Sequence, residues 1–296
     1  MRNIFESTST HWVKYSEYEY RKSDSGILYI TPTSTAKPLI YNPFDNIEEM
    51  ILDALNVNTL GGKKDEEVLQ KSVLNFVCKY GLLGFLTALP TTHNFVDYEA
   101  VYLPKNEFIT AETMPTRDYI DIFFPFEKPK FHKDSRSAAW NIAGDIEMKS
   151  LALTMVDKPL ALNIGFGRDY AERFDWLVKQ FKAWSFTCTG SILYYEDLGK
   201  ADETTLYVYR QGMSAFKGIS PTYHVALLDK PTIMWEFHSL LLGIQMMFSF
   251  MLTDTSKPLR ICKHCNRIFT ANHHNSAFCD SRCKNQHNVY KSRGKN

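Results

Sequence analysis

No apolar run in this 296-residue chain approaches the ~20 residues that a membrane-spanning helix needs. The longest, Ser239 to Leu252, is interrupted by Gln245 and reads as a buried core helix. The first residues, Met1 to Glu6, have no apolar h-region, so a cytoplasmic location without membrane attachment is expected. Phosphate-binding and nucleophile signatures are missing too: there is neither a Walker A loop nor a Gly-x-Ser-x-Gly elbow. Gly165-Phe166-Gly167 has Tyr170 where a dinucleotide fingerprint needs its third glycine, so it reads as a turn, with Arg168 at the start of a helix. The histidines at 11, 93, 132, 224 and 238 form no pair at zincin spacing. Repeats and low-complexity tracts are also absent. Nothing in residues 1–256 singles out a catalytic residue.

What is present is the composition of a packed protein, 44% hydrophobic and 14% aromatic. Alternation over residues 11–33 with a turn at Ser23-Asp24-Ser25-Gly26 predicts a β-hairpin. Behind Pro43, Ile47, Met50, Ile51, Ala54 and Leu55 share one helix face, with Asp45 and Glu48 as a capping box and Gly61-Gly62 as the stop. Leu69, Val73, Phe76, Val77 and Tyr80 mark a second helix. Tyr98 to Leu103 reads as a strand, with a short helix after Pro115, and polar residues 127–137 read as a loop. A helix is expected over 169–186, strands over Thr204–Tyr209 and Thr222–Leu228, and a long helix from Pro231 to Leu252. The sum is an α+β fold: a mixed helix/strand N-terminal body, residues 1–256, with a small C-terminal module, residues 257–296.

Cysteine is sparse, and its distribution matters more than its number. Cys78 and Cys188 lie 110 residues apart in apolar surroundings and read as buried free thiols. The other four form two close pairs, Cys262-Lys263-His264-Cys265 and Cys279-Asp280-Ser281-Arg282-Cys283, separated by thirteen residues. A redox Cys-x-x-Cys needs a βαβ context that is missing here, whereas two pairs with a short spacer suit a tetrahedral thiolate cage for one Zn²⁺. Four thiolates fill the shell and leave no open position for water, so the expected ion is structural. A knuckle at Cys262/Cys265, a hairpin through Ile268-Phe269, and a helix capped by Asp280 or Ser281 and carrying Cys283 make a treble-clef order.

Cys262 to Cys265 and Phe278 to Gln286 resemble the zinc-finger family named for a Cys-Gly-Asn-Arg (CGNR) signature, found at the C-terminus of many bacterial proteins. The likeness covers roughly the last 38 residues. Cys283 and Asn285 stand at the signature's cysteine and asparagine, while Lys284 and Gln286 replace its glycine and arginine. The C-terminal half is also similar to Gram-positive bacterial proteins ending in this finger. The likeness to those proteins implies the fold arrangement and no activity; the likeness to finger-family members with the intact signature implies a transcription-regulatory role.

Charge is segregated. Lys257 to Asn296 holds nine basic residues against Asp280 alone, a net of +8, whereas residues 1–256 carry −7. A zinc ion on four thiolates removes two charges and leaves the segment near +6. Arg267, Arg282, Lys284, Lys291 and Arg293 are the candidate contacts to DNA or RNA phosphates. Two further readings stay open. One is a protein-interaction module with a purely structural zinc, its basic tail docked on an acidic partner. The other is a metal-dependent nuclease using His273 and His274 of the spacer.

Overall fold

The computed structural model describes residues 12–58, 65–85, 99–102, 108–127, 167–214, 216–218, 220–237, 239–271, 273 and 276–294. Helices and small antiparallel sheets are mixed along the chain, so the fold is α+β. The chain divides into two compact units. The first takes Met1–Asp45, Leu74–Leu177 and Ser220–Gly243; the second takes Asn46–Val73, Val178–Ile219 and Ile244–Asn296. No described helix is long and apolar enough to cross a membrane.

In the first unit, β2 (Tyr18–Lys22) and β3 (Leu28–Pro32) form the expected hairpin, with Gly26 in the left-handed region (φ 79°) at the turn. The segment before it is not part of that hairpin. Trp12–Tyr15 is a separate strand, β1, paired with β4 (Pro38–Tyr41), because Ser16 and Glu17 break the ladder. β5 (Ala100–Tyr102) pairs with β6 (Thr113–Pro115), and a short helix (Thr116–Phe123) follows Pro115 as expected. β7 (Glu172–Arg173) adds a third strand to β3. It places Glu172, which is 1% exposed, against the backbone N–H groups of Leu83, Gly84 and Phe85, which donate to its carboxylate together with the Tyr170 hydroxyl. Burial pushes the carboxyl pKa up, and those four donors pull against the shift without cancelling it. Gly84 (φ 75°) is required there, since a Cβ would lie 2.9 Å from the Trp12 ring and 3.0 Å from Ser239. Arg168 is also committed to structure: its guanidinium donates to the Ser34 and Ala36 carbonyls at 2.7 and 2.6 Å.

Three helix and strand expectations are corrected in the C-terminal half. Pro231 opens a strand, β9 (Pro231–Glu236), antiparallel to β8 (Thr222–Leu227); the helix begins only at Leu240 and ends at Thr253. Pro231 faces Leu227 at the hairpin end, where its missing N–H disturbs the ladder least. Thr204–Tyr209 is helical, inside Glu203–Ser214, because Asp202 accepts a hydrogen bond from the Thr205 N–H and caps a helix that outweighs the β-branched run. The helix expected over 169–186 runs instead from Phe174 to Asp197, after β7.

The second unit contains α1 (Ile47–Asn56), which buries Met50, Ile51, Ala54 and Leu55. Its capping box does not form. Pro43–Asn46 is a 3-10 turn, Asn46 is the N-cap without a side-chain bond, and Glu48 accepts a hydrogen bond from the Thr270 hydroxyl at 2.9 Å. Ser185 donates to the Leu55 carbonyl at 2.7 Å. The remaining elements of this unit hold the cysteines: β10 (Leu259–Ile261), β11 (Ile268–Thr270) and the C-terminal helix Ser281–Ser292. In chain order the described helices are α1, α2 (Glu66–Tyr80), α3 (Thr116–Phe123), α4 (Phe174–Asp197), α5 (Glu203–Ser214), α6 (Leu240–Thr253) and α7 (Ser281–Ser292). The Gly61-Gly62 stop, His238, His274 and all but the first residue of the 127–137 loop lie outside the described residues.

Candidate metal centre and basic helix

The first cysteine pair sits on the knuckle between two antiparallel strands. β10 and β11 pair Leu259 with Thr270 and Ile261 with Ile268. At the knuckle the Cys262 N–H donates to the Arg267 carbonyl, and the Asn266 N–H donates back to the Cys262 carbonyl, both at 2.9 Å. That tight reversal puts Asn266 in the left-handed region (φ 56°), a conformation asparagine tolerates better than most side chains. The second pair is set by a helix start. Asp280 is extended, and its carboxylate accepts from the Cys283 N–H at 2.6 Å, so it is the N-cap of α7 as expected. That bond keeps the Asp280 carboxyl below its usual range.

The four sulfurs lie within 4.8 Å of one another. Cys265 and Cys279 are 3.7 Å apart, and Cys279 and Cys283 are 3.5 Å apart. A disulfide needs ~2.05 Å, so these are separate thiols; a tetrahedron with ~2.3 Å metal–sulfur bonds has edges of ~3.8 Å. The separations therefore fit a metal ion, and the all-sulfur donor set is consistent with zinc.

The cage is also where ionisation is contested. Burial works against a charge on Cys262, but the backbone N–H groups of Cys265, Cys279 and His264 outweigh it and hold this thiol down at about 6. Burial pushes Cys283 up to about 11; the Cys279 sulfur pulls the other way, while those of Cys265 and Cys262 add to the rise. Burial and all three neighbouring sulfurs raise Cys279. Without a cation, Cys262 forms the thiolate while Cys279 and Cys283 keep their protons; a divalent ion among them removes the conflict.

Beyond Leu259 and Ile268, which the hairpin buries, the core of the finger is built largely from its cysteines. Its buried cluster is Cys262, Phe269, Ala271 and Cys283, with Cys265, Phe278 and Cys279 against it, so four of seven members are the cysteines themselves. On α7 only Cys283 is buried, and a twelve-residue helix in water is marginal without tertiary support. Two contacts escaped the sequence. His264 Nε2 donates to Gln286 Oε1 at 2.9 Å, and its ring stacks on Tyr290 at 5.6 Å, tying the knuckle to α7. Asn56 on α1 donates to the Ile268 carbonyl and accepts from the Ile268 N–H, at 2.9 and 2.8 Å, docking the hairpin on that helix. Helical spacing from Cys283 to Gln286 and Tyr290 was a usable signal; the 212 residues between Asn56 and Ile268 carry none.

The five candidate cations, Arg267, Arg282, Lys284, Lys291 and Arg293, are all exposed, and among the described residues none of them is in an ion pair. They do not share one face. At about 100° per residue, Lys284 and Lys291 fall together, while Arg282 and Arg293 fall together on the opposite flank of α7. Arg267 stands beside the knuckle. His273 is exposed in the spacer. A cavity of about 580 Å³ beside the knuckle mixes Lys200, Arg260 and Lys263 with Glu196 and Asp254, so it presents no single sign of charge.

Searches with the whole chain find no match among family models, curated proteins or solved structures.

Proposed function

We propose that Cys262, Cys265, Cys279 and Cys283 hold one structural zinc ion, and that the finger so formed binds nucleic acid in a regulatory role. The observation that carries this is α7. Arg282, Lys284, Lys291 and Arg293 ride on or just past a helix with no acidic residue between Ser281 and Gly294, and that helix is fixed at the sulfur cluster by its own Cys283. Surfaces that serve solubility alone intersperse both signs of charge. The second unit as a whole also has a surplus, with seventeen lysines and arginines against twelve acids, so the helix does not belong to an acidic unit. The likeness to the Cys-Gly-Asn-Arg type, carried by Cys283 and Asn285, adds the regulatory role.

Zinc here folds a segment too small to bury a core, and it takes no part in chemistry. The test is fluorescence anisotropy of the zinc-loaded chain on labelled duplex and single-stranded nucleic acid over a salt series. The affinity is expected to fall steeply with salt. Each of the four α7 cations changed to alanine should reduce the slope of log K against log salt by ~0.7–0.9. No binding at low salt, or slopes indifferent to these changes, would remove the finger as the binding element.

A second reading, an interaction module, is favoured by the β8–β9 hairpin. Its paired residues Tyr223/Trp235 and Val225/Ile233 share a face with Leu227, and Val225 and Leu227 are 65% and 83% exposed. Two such faces are self-complementary across a two-fold axis. This reading predicts a dimer by light scattering that persists in high salt and is lost in Val225→Lys/Leu227→Lys.

A further inference from the structure

The distribution of side chains around α7 defines its target more closely than charge does. Its knuckle-facing arc holds Cys283, Gln286, His287 and Tyr290: Cys283 is in the sulfur cluster, Gln286 and Tyr290 meet His264, and His287 lies against Phe278 at 5.1 Å. Diametrically opposite, Ser281, Asn285, Asn288 and Ser292 fall within about 60° of one another at 100° per residue. All four are exposed, and among the described residues neither asparagine side chain has a hydrogen bond. The paired cations lie roughly a quarter turn to either side of this arc, Lys284 and Lys291 on one flank, Arg282 and Arg293 on the other.

A strip of amides and hydroxyls between two rows of cations is the complement of a strip of base edges between two rows of phosphates. We infer that α7 enters the major groove of duplex DNA, with Asn285 and Asn288 contacting base edges and the two cation pairs contacting the backbones on either side. The inference rests on the nucleic-acid reading above and names its substrate. The B-form major groove, ~12 Å wide, admits a helix, and asparagine is the side chain that pairs with the N6 and N7 edge of adenine. The deep, narrow major groove of A-form RNA does not admit one. Single strands are bound by aromatic platforms, and the rings of α7 are already paired, Tyr290 (45% exposed) with His264 and His287 with Phe278.

The experiment is selection from a random duplex library with the full-length, zinc-loaded chain. Binding of the enriched duplex is then compared with a scrambled duplex, a single-stranded DNA and a hairpin RNA. An enriched site containing adenine is expected. Asn285→Ala/Asn288→Ala should lose about ten- to a hundredfold of the discrimination between selected and scrambled duplex while keeping the salt slope. Lys284→Ala/Lys291→Ala and Arg282→Ala/Arg293→Ala should each weaken both duplexes alike and flatten the slope. Zinc content and circular dichroism of each variant show that the finger is intact. If no site is enriched, if discrimination survives loss of both asparagines, or if only single strands or RNA bind, the groove reading falls while nucleic-acid binding stands. If nothing binds at low salt, both fall.

Discussion

Cys262 ionises before Cys279 and Cys283, and the backbone N–H groups around it, which outweigh its burial, are the cause. Its partners Cys279 and Cys283 keep their protons well above neutrality in the metal-free finger. Zinc binding near pH 7 must therefore expel the protons that Cys279 and Cys283 hold, from ligands whose affinity for protons competes with the metal. The sign follows: raising the pH weakens the competitor, so the apparent zinc affinity rises with pH, by up to about a hundredfold per unit while two protons are displaced. Competition with a chromophoric chelator between about pH 6.5 and 8.5 checks this. A flat profile would mean that the thiols are already ionised, against the crowding of sulfurs at 3.5 and 3.7 Å. Asp280 is a separate case, because its carboxyl is depressed by the Cys283 N–H. The stability it contributes is present above the ordinary aspartate range and is lost as pH falls through its own lower value, after the metal has left.

Among the elements, the β10–β11 hairpin depends on α1 through Asn56. That carboxamide satisfies both backbone groups of Ile268, a residue 5% exposed. Asn56→Ala should cost about 1–3 kcal/mol in thermal or urea unfolding, since it leaves a donor and an acceptor unpaired beside buried surface. An effect under about 0.5 kcal/mol, the range of ordinary surface changes, would show that the hairpin does not need α1. Such links also mark how far the sequence was legible. Local signals read correctly: the turn before β3, the apolar faces of α1 and α2, the Asp280 cap, the two cysteine pairs. Pro231 misled because proline opens helices and ends hairpins alike, and only the pairing with β8 decides between them. Glu48 fitted a capping box, yet a partner at Thr270 took its carboxylate. Glu172 gave no sign of its place against Leu83, Gly84 and Phe85, because sequence separation hides which backbone N–H groups need an acceptor. The cations of the finger were legible as a set but not as two flanks, which needed the direction of α7.

At the scale of the whole molecule, charge is tied to metal. The basic C-terminal segment becomes a surface only if α7 is held, and α7 has one buried side chain, a cysteine. No amount of positive charge fixes the positions of Asn285, Lys284 and Arg282 relative to one another unless the helix is anchored through Cys283 to the knuckle. The most direct measurement is therefore the metal content of the full-length chain purified without chelators, by plasma mass spectrometry, beside Cys279→Ser/Cys283→Ser, with limited proteolysis of both. One zinc per chain in the wild type, none in the variant, and cleavage after Lys284 and Lys291 appearing only in the variant are the predicted results. A wild-type chain that carries no zinc yet protects α7 as well as a zinc-loaded one, or a variant that keeps its metal, would contradict the account.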